Sequence, residues 1–93
     1  MLTDHTKKEL EKAAENICKV NKLQHVYFTQ RFGKRRHFIA GYGKKTFTQT
    51  RHLDTTENIA LSWEGNMTEE KAWITLRPLT YLLNQTEQEL NRS

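Results

Sequence analysis

Arg31, Lys34, Arg35, Arg36, His37, Lys44, Lys45 and Arg51 crowd into a stretch with no acidic residue between Glu15 and Asp54. Lys19 and Lys22 bring the Lys and Arg residues in this gap to nine. Tyr27, Phe28, Phe32, Phe38, Tyr42 and Phe47 are threaded among them. Lys and Arg neutralise phosphates, and much of the binding energy comes from released counterions. Arg adds a planar fork that fits phosphate or a guanine edge, whereas Lys acts as a point charge. Aromatic rings stack on unpaired bases, and a two-stranded ribbon fits a major groove. The pattern predicts contact with DNA or RNA phosphates through these eight residues, with Tyr27 beside them.

Other chemistry finds less support in the spacing. His25 and His37 fall on one face of a predicted hairpin, near Arg31 and Arg35. Such a set suits RNA cleavage by general acid–base catalysis, but two polar sheet residues account for it more simply. Cys18 is the single cysteine, so no internal disulfide forms. It lies on an apolar helix stripe, which favours a core role, and it has no metal-ligand spacing with His25, His37 or His52. Asp4 and Asp54 are the only aspartates, too few for a two-metal nuclease. Gly41-Tyr42-Gly43-Lys44-Lys45 lacks the spacing of a P-loop. The expectation is a protein that is not an enzyme and needs no metal or cofactor.

Charge is unevenly spread. Residues 1–24 carry five Lys against four acids, a net +1. Residues 25–53 carry +7 with no acid, and residues 54–93 carry three bases against seven acids, a net −4. A basic face meeting an anion is one consequence. The alternative sets the acidic last third against the basic stretch, within one chain or across a homodimer. The alternative function to nucleic-acid binding is a protein-interaction module, an inhibitor or adaptor docking its basic sheet on an acidic protein surface. The 93 residues and 35% hydrophobic content suit one compact domain, 1–93, with one core. No apolar run approaches the ~18 residues of a membrane span. The first residues lack the apolar centre of a secretory signal. With its lone cysteine, the chain is expected to be soluble, cytoplasmic and free of membrane contact.

The elements that must position these residues follow from periodicity. Thr6 with Glu9 forms a capping-box pattern. Leu10, Ala13, Ala14, Ile17 and Cys18 then make one apolar helix stripe, ending near Asn21. Residues 25–32 and 36–42 alternate as strands around a Gly33-Lys34-Arg35 turn. A three-residue loop pairs Phe32 with Arg36 and gathers Val26, Phe28, Phe32, Phe38, Ala40 and Tyr42 on a buried face. His25, Tyr27, Thr29, Arg31, Arg35, His37 and Ile39 then form the open face. Thr46, Phe47, Thr48 and Thr50 suggest a third strand, residues 51–56 a polar loop, and Ile59–Trp63 a fourth strand. Thr68, Glu69 and Glu70 open a helix that Pro78 must break, and Leu79, Leu82, Leu83 and Leu90 continue it; Trp73-Ile74-Thr75 also suits a strand, so Ala72–Leu76 reads alternatively as a fifth one. Trp63 and Trp73 are expected to anchor the core. The fold class is α+β: an N-terminal helix, an antiparallel sheet of three to four strands, and a C-terminal helix broken near Pro78. This order resembles that of double-stranded-RNA-binding domains. Where that family opens its second helix with lysines, this chain has acidic Met67-Thr68-Glu69-Glu70-Lys71, so the likeness stops at element order.

Overall fold

The computed structural model describes residues 2–46 and 48–91. Helix α1 spans Asp4–Val20 and is followed by strands β1 (His25–Phe32), β2 (Arg35–Gly43), β3 (Thr50–Asp54) and β4 (Ile59–Glu64). Helix α2 (Glu69–Leu76), a 3₁₀ turn (Arg77–Leu79) and helix α3 (Thr80–Asn91) complete the chain. The α+β class and the break at Pro78 agree with the sequence, and residues 72–76 are helical. Pro78 lacks the N–H that a continuous helix needs, and the backbone tightens into the 3₁₀ turn there.

Local chemistry sets the helix ends. The Thr3 hydroxyl oxygen caps α1 by accepting the Thr6 backbone N–H at 3.2 Å. The cap therefore lies one position before Asp4, and the expected Thr6–Glu9 box does not form it. Thr6 is buried instead, and its hydroxyl donates to Glu89 Oε2 at 2.6 Å, joining α1 to α3. Asn21 ends α1, as its position suggested. Thr68 caps α2 by accepting the Lys71 N–H at 3.1 Å.

The four strands form one antiparallel sheet in the order β2-β1-β4-β3. Two hairpins lie side by side, β1–β2 and β3–β4, with β2 and β3 at the two edges of the sheet. The third strand covers Thr50–Asp54 rather than Thr46–Thr50, so the expected loop at 51–56 is mostly strand. Arg51 and Leu53 alternate with Thr50, His52 and Asp54, and only Leu53 is buried. Phe47, expected in that strand, lies outside the described residues.

One face carries Val26, Phe28, Ala40, Leu53, Ile59, Leu61 and Trp63 into a single core with the buried residues of α1, α2 and α3. Trp63 is fully buried, and its indole N–H donates to Met67 O at 3.0 Å, so no donor is stranded. Trp73 does not share that role, since it is 45% exposed. Glu87 of α3 accepts from the Thr56 hydroxyl and from the Asn58 side-chain amide, which latches the β3–β4 loop.

The first hairpin departs from the expected register. Phe32 pairs with Arg35, leaving a two-residue turn at Gly33-Lys34. Gly33 has φ 59°, and glycine at the first central position matches the II′ turn that suits strand twist. That register alone would set Val26 and Phe28 beside the polar side of β2. A bulge resolves the conflict: Phe28 pairs with Ala40, Thr29 pairs with Phe38, and Ile39 is the extra residue. Ile39 packs against the core with Ala40. Parity beyond the bulge is therefore reversed relative to the expectation. Arg36 and Phe38 join the open face, and Arg35 and His37 lie on the helix side.

Candidate nucleic-acid interface

The hairpin end stands clear of the core. Every residue from Phe32 to Phe38 is exposed. Lys34 sits in the turn, Arg36 points to the open face and Arg35 to the helix side. Phe32 and Phe38 were expected to be core residues, yet they are 50% and 65% exposed. Burial selects only Val26, Phe28 and Ala40 from that set: the bulge turns Phe38 to the open face, and Phe32 and Tyr42 lie near the two ends of the hairpin, where they stay exposed. The Phe32 and His37 rings meet edge to face, with centroids 4.8 Å apart. Tyr42 lies at the rim under Lys19, whose Nζ is 5.6 Å from the ring centroid.

The open face joins residues from all four strands. Tyr27 lies between His25, stacked at 4.6 Å, and Phe38, tilted at 6.0 Å. Arg31 forms an ion pair with Asp54 of β3. Arg31's hydrogen bond and charge hold the Asp54 carboxyl below its usual range, with Arg36 and His52 adding to the effect. His52 shares this face, with Nδ1 2.6 Å from Ser62 Oγ. Burial and the positive charge of Arg36 lower its pKa, against the opposing pull of Asp54. The Ser62 hydroxyl is fully buried, which leaves it no approach to a substrate.

Glu64 closes the other end of the face. Its Oε2 accepts from the Thr46 backbone N–H at 2.8 Å and from the Thr46 hydroxyl at 2.5 Å, and Oε1 lies 3.4 Å from His25 Nδ1. The Thr46 hydroxyl bond does most to depress the Glu64 pKa, ahead of the opposing effect of burial. The carboxylate thus anchors Thr46, on the crossover after β2, to the sheet.

The residues singled out in the sequence divide into four groups. Tyr27, Arg31 and Arg36 share the open face, and Lys34 lies at the tip. Arg35 and His37 occupy the reverse side of the same hairpin end. Lys44 and Lys45 lie exposed at the start of the crossover, beyond Gly43. Arg51 pairs with Trp63 and takes the helix side of edge strand β3, away from the others. His25 and His37 fall on opposite faces, so the two-histidine geometry for RNA cleavage is not formed. Cys18 is buried with its thiol pKa raised by that burial, and Sγ lies 3.0 Å from Leu23 O.

Phe38, His52 and Asp54 escaped the sequence reasoning. The alternation of Arg51 and Leu53 against Thr50, His52 and Asp54 held a strand signal. Nothing local marked the bulge that turns Phe38 outward. No protein-family model matches this chain, and no curated protein or solved structure matches it. Among the described residues, no helix is long and apolar enough to cross a membrane.

Proposed function

We propose that this chain is a non-enzymatic, cytoplasmic nucleic-acid-binding domain that grips phosphates with the projecting end of the β1–β2 hairpin. One observation carries the reading: Phe32–Phe38 are all exposed, include Lys34, Arg35 and Arg36, and contain no acid. Such a ribbon has cations on both sides and at its tip, so phosphates on two flanks can be neutralised at once. Arg36 and Arg35 supply forked donors, and Lys34 a mobile charge. Lys44 and Lys45 extend the positive surface toward the other end of the sheet.

Titration of the full chain with mixed-sequence DNA and RNA across a salt series tests this. The expected result is binding at low salt whose logarithm falls linearly with the logarithm of salt concentration. Arg35→Ala and Arg36→Ala should each weaken binding and flatten that slope by about one phosphate contact. Absence of binding at low salt overturns the proposal. Stoichiometric capture of one acidic protein, insensitive to nuclease, would instead support the interaction-module reading.

A further inference from the structure

The open face of the sheet is more specialised than phosphate neutralisation requires. His25, Tyr27 and Phe38 form a row of rings with successive centroid separations of 4.6 and 6.0 Å. Phe38 is 65% exposed and has no place in the core. Edge strand β2 offers this face Arg36, Phe38, Gly41 and Gly43 in order, so it sets glycine opposite both Tyr27 and His25. Gly41 is obligatory for the close approach: a Cβ there would lie 2.5 Å from Tyr27 Cβ and 2.8 Å from Val26 O. The glycines leave the row unscreened along the sheet edge. Cations flank it at both ends, Arg36 beyond Phe38 and Lys44-Lys45 beyond Gly43.

One further atom on this face lacks a role in the fold. Thr29 is 3% exposed and pairs with Phe38, and its hydroxyl has no hydrogen-bond partner among the described residues. A buried hydroxyl without a partner is costly, and native proteins rarely leave one.

We infer that the face binds single-stranded nucleic acid, with an unpaired base stacked on Phe38, the exposed end of the ring row, and the backbone running from Arg36 toward Lys44 and Lys45. This rests on the nucleic-acid reading above and names its ligand class. Stacking needs the flat face of a base, which a duplex hides between its neighbours. It is indifferent to sequence and sugar, because every base has a π-face. The Thr29 hydroxyl supplies a hydrogen bond to a base edge once Phe38 turns to stack. Arg31 is engaged by Asp54 at rest and becomes a second phosphate ligand when that pair opens.

The test compares the full chain's affinity for short oligo(dT), oligo(U) and a DNA duplex of equal length at one low salt concentration. Both single strands should bind more tightly than the duplex. Phe38→Ala should weaken single-strand binding roughly 5- to 150-fold, the range of one base–aromatic stack, and Phe38→Trp should restore it. A preference for only one of the two single strands would overturn recognition through base faces alone. Equal or tighter duplex binding, or a single-strand preference that survives Phe38→Ala, overturns this inference and leaves the phosphate-binding function standing. No binding to any probe overturns both.

Discussion

Arg31 on β1 and Asp54 on β3 form an ion pair across strand β4, which offers only Ala60 on this face at that level. The Asp54 side chain is 56% exposed and that of Arg31 34%, so the pair is largely solvated. Exposed pairs of this kind contribute about 0–1 kcal/mol. Its larger effect is electrostatic, since it places the one carboxylate of β3 beside the cations of the open face.

Replacing that carboxylate should therefore help an anionic ligand. Asp54→Asn is expected to tighten oligonucleotide binding several-fold and to steepen its salt dependence by about one contact, as Arg31 is released. Stability should change by less than about 1 kcal/mol. Fluorescence anisotropy across a salt series and urea denaturation read the two effects. Weaker binding by Asp54→Asn would show that the pair shapes the surface and does not guard it.

His52 reports on the same charges. Burial and Arg36 favour its neutral ring, so its titration midpoint should fall below the ordinary 6.5. The unfolded chain then takes up the proton first on acidification. This residue's contribution to stability is complete above about pH 6.5 and is lost as pH falls toward the depressed folded value. NMR titration of the imidazole should show the low midpoint and its rise in Arg36→Ala. A bound oligonucleotide should also raise it, because a nearby phosphate favours imidazolium.

Acid should loosen the crossover and the α1–α3 junction. Glu64, held by Thr46, and Glu89, held by the Thr3 N–H and Thr6 hydroxyl, both have pKa values below the ordinary 4.5. The unfolded chain protonates first, so their stabilisation is full above pH 4.5 and drains as pH falls through the folded values. Glu64→Gln replaces the charged acceptor of both Thr46 hydrogen bonds with a neutral amide and should cost about 1–3 kcal/mol at neutral pH. Denaturation midpoints between pH 7 and pH 3 check both statements; a flat profile in the native chain would refute the linkage.

The two phenylalanines flanking the bulge should behave oppositely. Phe28 is fully buried, and Phe28→Ala should cost about 3–5 kcal/mol. Phe38→Ala, at an exposed site away from the core, should stay within about 0.5 kcal/mol. Urea denaturation of both variants decides this, and a large loss in Phe38→Ala would mean that the open face is packed rather than free.

Several features were legible in the chain because they depend on neighbours close in sequence. The stripe from Leu10 to Cys18, the Asn21 stop, the Thr68 cap and the Pro78 break each follow from side chains within a turn or two. Local turn chemistry also points to Gly33, while burial by parity alone asks for a longer loop, and the extra residue at Ile39 meets both demands. Thr6 looked like a cap because Glu9 follows it, yet its hydroxyl is taken by Glu89, far along the chain. Trp73 looked like core because tryptophan usually is, yet the helix turns it outward.

The clustering of nine cations without an acid between Glu15 and Asp54 is a property of composition, and no fold alters it. Which of those cations act together is a different matter. Side-chain direction in a strand reverses with every residue, so one bulge at Ile39 exchanged Arg35 and His37 for Arg36 and Phe38. The strand order β2-β1-β4-β3 then set His52 and Asp54 on the same face as Arg31 and Arg36. Those partners are distant in sequence, and only sheet pairing brings them within reach of each other's charge.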